Sequence, residues 1–307
     1  GLRYSDDEKE GRGEQEVCNV FFGNCPIPNT VIEEQNSWDD TTWLAGIDWS
    51  PSDNHMFFAK ISTGYKAGGF NLISAPPGNT VWDPEEITSY EIGWKASLLD
   101  RRLRLNTAAF HYDYEDLQVA NIINFSRLTA NAAEATVNGL ELEALYQPAD
   151  NWMINLSLGW LDAEFDNFIG IDPVNVPQTS APPGEPDPIP QDFSGNSLTN
   201  SPEWSSNLSI QYTFNLGERG TLTARAQSHW QDDWYLRSYN LPEDKQDSYI
   251  SNDIRLIWRL PTECYVEGFV NNINDEQHAT SAEVTNGGFF GNISPPRTWG
   301  VRVGFNY

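Results

Sequence analysis

The feature that most constrains this chain of 307 residues is a strict two-residue alternation of apolar and polar side chains. In Trp204–Phe214 the even positions read Trp204, Ser206, Leu208, Ile210, Tyr212 and Phe214; the odd positions read Ser205, Asn207, Ser209, Gln211 and Thr213. The segment from Trp152 repeats the pattern, with Trp152, Ile154, Leu156, Leu158 and Trp160 against Met153, Asn155, Ser157 and Gly159. The last eleven residues do so again: Trp299, Val301, Val303, Phe305 and Tyr307 share one parity. A period of two sends neighbouring side chains to opposite faces of a strand, so each segment has one apolar and one polar face.

A soluble sandwich also alternates, so the placement of aromatics is more telling. Trp152 and Trp160 bracket one apolar stripe, Trp43 and Trp49 bracket Ala45 and Ile47, and Trp204 and Phe214 bracket a third. Eight strand residues rise about 26 Å, or roughly 19 Å across a bilayer at a tilt near 45°. That suits two interfacial rings flanking a hydrocarbon band. The composition agrees: 12 Trp, 12 Tyr and 15 Phe sit in a chain of net charge −26. Such a charge excludes a nucleic-acid binder, which needs a basic surface. No run approaches the roughly 18 apolar residues of a membrane helix.

The connections give an independent test. Strands are expected near 1–5, 41–50, 55–65, 88–98, 102–114, 135–147, 152–165, 203–214, 221–231, 248–260, 264–275 and 297–307. Short turns (PSDN, LDR, PADN, NLGERG, PTE) alternate with long polar connections at 6–40, 66–87, 115–134, 166–202, 232–247 and 276–296. Short turns on one side and long loops on the other are the pattern of outer-membrane barrels. The expected fold class is all-β, a transmembrane antiparallel β-barrel. Leu208→Arg should then cost far more than Ser209→Arg.

Two strands have less clean faces. Phe110 and Tyr112 oppose Leu103, Leu105 and Ala109, and Phe269 and Ile273 oppose Val266 and Val270. Large aromatics facing the lumen suggest packing against something that fills the barrel. The expected lumenal charges are Glu91, Lys95, Glu141, Glu143, Arg225, Asp253, Arg255, Arg259 and Arg302. Glu141 and Glu143 lie about 7 Å apart on one face, a spacing that invites a glycosidase reading. An aqueous lumen offers no apolar pocket to separate their pKa values, so no catalytic pair and no enzyme is expected. No cofactor or metal motif is present. Asn272-Ile273-Asn274-Asp275-Glu276 lacks the glycine of a calcium loop and reads as a strand end.

Residues 6–40 hold ten Asp and Glu against Lys9 and Arg12, and residues 166–202 hold five acids and no base. Such runs are chiefly solvated faces; attraction of a cationic ligand is the functional alternative. Cys18 and Cys25 lie close together in CNVFFGNC, which suggests a local disulfide in an oxidising compartment. A metal site is the rival reading, but it lacks a second ligand pair.

The chain resembles the C-terminal half of a TonB-dependent outer-membrane receptor. The matching stretches are GYKAGGFN (Gly64–Asn71), Pro84–Val119, NAAEATVNGLELEA (Asn131–Ala144), GNSLTNSPEW (Gly195–Trp204), VNNINDE (Val270–Glu276) and PPRTWGVRVGFNY (Pro295–Tyr307). Each is degenerate alone; their order and coverage carry the match. The resemblance implies about 22 strands around an N-terminal plug and uptake of a scarce nutrient, a ferric siderophore first. It places the chain in the outer membrane of a Gram-negative bacterium. The partners it implies are outer-membrane lipid, the TonB complex through the plug, and the barrel assembly machinery through the last strand. It also places ligand contacts on aromatics near strand tops and in outer loops: Tyr65, Phe70, Trp82, Trp234, Tyr235, Phe289 and Phe290. Neither plug nor TonB box is in the sequence. With a first strand of only five residues, 1–307 is expected to be a partial barrel of about twelve strands, with Gly1 a truncation point. The alternatives are a self-standing pore or membrane enzyme, and a receptor for carbohydrate or cobalamin.

Overall fold

The computed structural model describes residues 1–19, 24–72, 80–123, 126–171, 191–262, 264–285 and 288–305; the side chains of 15–30, 121–127 and 283–289 lie outside that description. The chain begins with β1 (Leu2–Asn19), β2 (Asn24–Ser52), β3 (His55–Lys66), β4 (Gly69–Phe70), β5 (Val81–Trp82) and β6 (Glu85–Leu98). It continues with β7 (Leu103–Ile123), β8 (Ser126–Tyr146), β9 (Trp152–Gly170), β10 (Gln191–Asp192), β11 (Trp204–Asn215) and β12 (Thr221–Gln231). The last elements are β13 (Trp234–Tyr235), β14 (Lys245–Gln246), β15 (Tyr249–Arg259), β16 (Cys264–Asn271), β17 (Ala279–Thr285), β18 (Gly288–Ile293) and β19 (Thr298–Phe305).

Twelve long strands form one antiparallel path, β1-β2-β3-β6-β7-β8-β9-β11-β12-β15-β16-β19, with β10 attached to β9. The five short turns fall at one end of this sheet, as the alternation of connections requires. Among the described residues β1 and β19 each pair on one side only.

Register turns the alternation into a continuous wall. Ile210 faces Ile154 and Ala226, Ala226 faces Ile254, and Val270 faces both Ile254 and Trp299. Leu208, Ile210, Ile254, Trp299, Val301 and Val303 are all exposed on this apolar face. A slip of one residue would send every one of them to the polar face, so the pattern fixes the register.

Two expectations change. The connections 6–40 and 115–134 are not irregular: β1 and β2 pair from Leu2–Trp43 up to Asn19–Asn24, and β7 and β8 pair up to Ile123–Ser126. The β1–β2 extension is mostly polar at both parities, and in the β7–β8 extension apolar residues fall at both parities beyond a register shift at Tyr114–Gln118, so neither carries a clean two-residue period although each is paired in the backbone. The first strand therefore has 18 residues rather than five, and the short-edge argument no longer holds.

The lumenal face also carries aromatic rings with partners inside the wall. Four of them pack over glycines on the neighbouring strand, directly opposite in register: Phe58 over Gly93, Phe110 over Gly139, Phe269 over Gly300 and Tyr265 over Gly304. A Cβ on Gly139 would lie 2.0 Å from the Phe110 ring, and one on Gly93 2.4 Å from Phe58. Lys95, Arg259 and Arg302 lie over the rings of Phe58, Tyr265 and Phe269 at 5.4–5.9 Å. Ring over glycine fills the gap that the missing side chain leaves in the sheet. Gly139→Val should destabilise the barrel by about 1–3 kcal/mol through overpacking. Urea unfolding followed by the loss of heat-modifiable mobility measures it, and Phe110→Ala in the same chain should recover part of the loss. No recovery would show that Phe110 is not the obstacle.

Candidate functional site at the mouth

The ends of the sheet opposite the short turns carry folded connections that lie against its polar face. The first starts at Lys66-Ala67-Gly68-Gly69-Phe70. Neither glycine has a positive φ; both are needed for close approach. A Cβ on Gly68 would sit 2.2 Å from the Trp82 carbonyl oxygen and 2.6 Å from the Trp38 ring, and one on Gly69 would sit 2.4 Å from the Trp82 ring. Trp38 is buried, packs on Phe70 at 5.6 Å and lies beneath Lys9, whose Nζ donates to the Gly68 carbonyl at 2.7 Å.

Side-chain amides then clip this connection to the extensions of β7 and β8. Asn71 Nδ2 donates to the Thr129 carbonyl at 2.8 Å, and its Oδ1 accepts from Thr129 N–H at 2.9 Å. Asn131 donates to the carbonyls of Asp83, Pro84 and Asp116 and accepts from Asp83 N–H at 2.7 Å. Gln118 Nε2 reaches the carbonyls of Lys66, Ala67 and Asp83. Backbone groups of an irregular segment need such partners when they leave water.

The second roof is made by residues 191–202 and 234–246. Ser197 N–H donates to Asn240 Oδ1 at 2.7 Å, Asn240 Nδ2 donates back to the Ser197 carbonyl at 3.1 Å, and Asn196 Nδ2 donates to the Ser238 carbonyl at 3.0 Å. Arg237 and the fully buried Asp244 form an ion pair, with Nε to Oδ1 at 2.5 Å, and Asp244 Oδ2 accepts from Leu241 N–H at 3.2 Å. Burial pushes the Asp244 carboxyl upward, and the guanidinium pulls against that shift. Under the roof Phe165, Phe168, Phe193 and Tyr239 form an apolar core with Val119, Ala133 and Ala135. Each large ring buried there contributes about 1.5–3 kcal/mol.

Between this roof and the polar face of β7–β9 lies a cavity of about 760 Å³. Phe110, Tyr112, Tyr114, Phe165 and Tyr239 supply aromatic wall, and Leu117, Val119, Leu161 and Leu198 supply aliphatic wall. Its charged lining residues are Glu85, Glu141 and Arg237. A largely apolar cleft with a few convergent polar groups is the usual form of a small-molecule site. Among the described residues no group of three or more His, Cys, Asp or Glu is arranged to hold a metal.

The sequence-predicted contact residues fall elsewhere around the mouth. Tyr65 donates to Asp7 at 2.8 Å, Phe70 lies on Trp38, and Trp82 covers Gly69, so these three gather at one side. Trp234 is buried against Tyr249 and His278, at 5.8 and 6.2 Å, and Tyr235 pairs with Lys245. Phe290 is exposed on β18; the side chain of Phe289 lies outside the described residues, as do those of Cys18 and Cys25. None of the six whose side chains are described lines the large cavity. Its aromatics come instead from β7, β9 and residue 239. The one sequence signal for them was the inward parity of Phe110 and Tyr112.

Three of the expected lumenal charges, Glu91, Arg255 and Arg302, form ion pairs within the wall. Lys60 meets Glu91 at 2.7 Å, and the buried Glu267 lies between Arg302 at 3.0 Å and Arg255 at 3.7 Å. Asn272 does close a strand end: it donates to the carbonyls of Glu276 and Pro295 and accepts from Glu276 N–H.

A sheet of long antiparallel strands with an exposed apolar face, a charged inner face, short turns at one end and folded loops at the other defines the wall of an outer-membrane β-barrel. Residues 1–286 match the family model described as TonB dependent receptor-like, beta-barrel, and the chain belongs to that family of Gram-negative outer-membrane receptors. It is 32% identical over 137 residues, 42% of this chain and 18% of the relative, to a protein of Acinetobacter baumannii named probable TonB-dependent siderophore receptor PiuA. It is 19% identical over its whole length to the pesticin receptor of Yersinia pestis, covering 41% of that protein. Among solved structures, the ferric yersiniabactin uptake receptor FyuA from Yersinia pestis superposes with a TM-score of 0.78 at 18% identity, over 98% of this chain and 42% of that one. PiuA superposes with a TM-score of 0.75 at 22% identity, over 100% and 40%. The chain thus spans well under half the length of the relatives it matches. The relatives named are receptors, not enzymes.

Proposed function

We propose that this chain is the C-terminal part of the barrel of a TonB-dependent receptor that imports a ferric siderophore. The observation that carries the reading is the roofed, aromatic-lined cavity at the outer mouth, built on the lumenal face of the wall. Similarity to receptors named for ferric yersiniabactin and for siderophores supports the choice of cargo. The one-sided pairing of β1 and β19 supports a larger barrel, since an open edge in lipid leaves backbone groups unsatisfied. Energy would come from the TonB complex through an N-terminal plug, and assembly would be directed by the last strand. The reading includes no catalytic role. It includes a Cys18–Cys25 disulfide at the tip of the first hairpin, supported by a register that faces Val17 with Ile27 and Asn19 with Asn24.

Deletion of the gene carrying this chain should abolish uptake of labelled iron from its ferric chelate, and so should removal of TonB. Wild-type growth under iron limitation, together with growth dependence on a glycan or on cobalamin, would overturn the siderophore assignment while leaving the receptor intact.

A further inference from the structure

We infer that the mouth cavity selects iron chelates by charge, taking neutral or cationic complexes with an apolar or aromatic body in preference to trianionic tris-catecholates, and that Glu141 sets this preference. The inference rests on the receptor reading above.

Three charged side chains line the cavity, and two are already matched. Arg237 is bound by Asp244. Glu85 accepts from Lys66 at 3.1 Å and from Gln118 N–H at 3.0 Å. Glu141 projects from β8 on the same face as Phe110 and Tyr112 and has no cationic partner among the described residues. The charge that the wall offers an incoming ligand is therefore one uncompensated carboxylate. The guanidinium that would welcome an anion is held by its own aspartate.

The neutral lining points the same way. Tyr112 stacks on Phe110 at 4.7 Å, and Tyr114 and Phe165 add further ring surface. Ring faces attract cations and repel anions through their quadrupole. The hydroxyls of Tyr112 and Tyr114 have no protein hydrogen-bond partner among the described residues, so they are free to orient a polar group of the ligand. The β1–β2 hairpin adds to this field, since residues 6–40 hold ten Asp and Glu against Lys9 and Arg12, and it favours cations within a Debye length of about 8–10 Å.

The test uses the receptor expressed from its full-length gene, purified in detergent, with three probes: the tris-catecholate ferric enterobactin, neutral ferrichrome and cationic ferrioxamine B. Ferrichrome or ferrioxamine B should bind at least roughly tenfold more tightly than the catecholate. Glu141→Gln should narrow that gap by roughly tenfold, chiefly by admitting the catecholate, and Glu141→Asp should keep it. A preference for the catecholate, or an equal shift of all three probes in Glu141→Gln, overturns the charge assignment and leaves the receptor reading standing. If none of the three binds, and iron uptake in cells does not depend on the gene, both fail.

Discussion

Leu208→Arg is expected to destabilise the folded barrel by about 2–4 kcal/mol, while Ser157→Arg should cost almost nothing. Leu208 sits mid-strand on the apolar face, opposite Leu156, and 39% of its side chain is exposed where the hydrocarbon band would lie. An arginine there has no water and no counter-charge. Ser157 lies on the polar face between Glu143 and Asn207, so an arginine at that position meets a carboxylate. Ser209 is the wrong control, although its parity suggested it. It is 6% exposed and its hydroxyl is buried, so an arginine would be crowded even on the polar face. Urea titration in detergent or liposomes measures both variants. Equal losses would mean that the apolar face is not the outer one.

Asp244→Ala should open the 234–246 roof at a cost of about 3–5 kcal/mol, because it leaves the Arg237 guanidinium buried without its carboxylate. The sheet itself should survive, since neither residue belongs to a membrane-spanning strand. Hydrogen exchange resolves the two: amides of residues 234–246 should lose protection while those of β11 and β12 keep it. Asp244→Asn retains acceptor geometry for Leu241 N–H and should lose less. Unchanged protection in Asp244→Ala would show that the apolar core of Phe168, Phe193 and Tyr239 holds the roof without the ion pair.

The resemblance motifs turn out to be chiefly structural. Asn131 of NAAE, Gly68 and Gly69 of KAGGFN, Asn196 of GNSLTN and Asn272 of VNNIND each clamp a connection or permit a close approach. Their chemistry was visible as residue type, but their partners were not. Asn71 and Thr129 are separated by 58 residues, and Asn196 and Ser238 by 42.

What the sequence determined by itself was the wall. Alternation is a local property, so eleven residues from Trp204 to Phe214 reveal a strand, its two faces and the width of the apolar band. Short turns rich in Gly, Pro, Asn and Asp then order the strands. The extensions of β1–β2 and β7–β8 escaped notice because the first is mostly polar at both parities and the second has apolar residues at both parities beyond a register shift at Tyr114–Gln118, so neither shows a two-residue period. Tertiary structure alone decided the mouth. Loops carry no repeat that says where they fold, and the cavity exists only because residues 191–202 and 234–246 turn inward over β7–β9. Aromatic residue type therefore pointed to Trp82, Trp234 and Phe290. The walls of the cavity are instead Tyr112, Tyr114 and Phe165, which strand parity turns inward and the roof encloses.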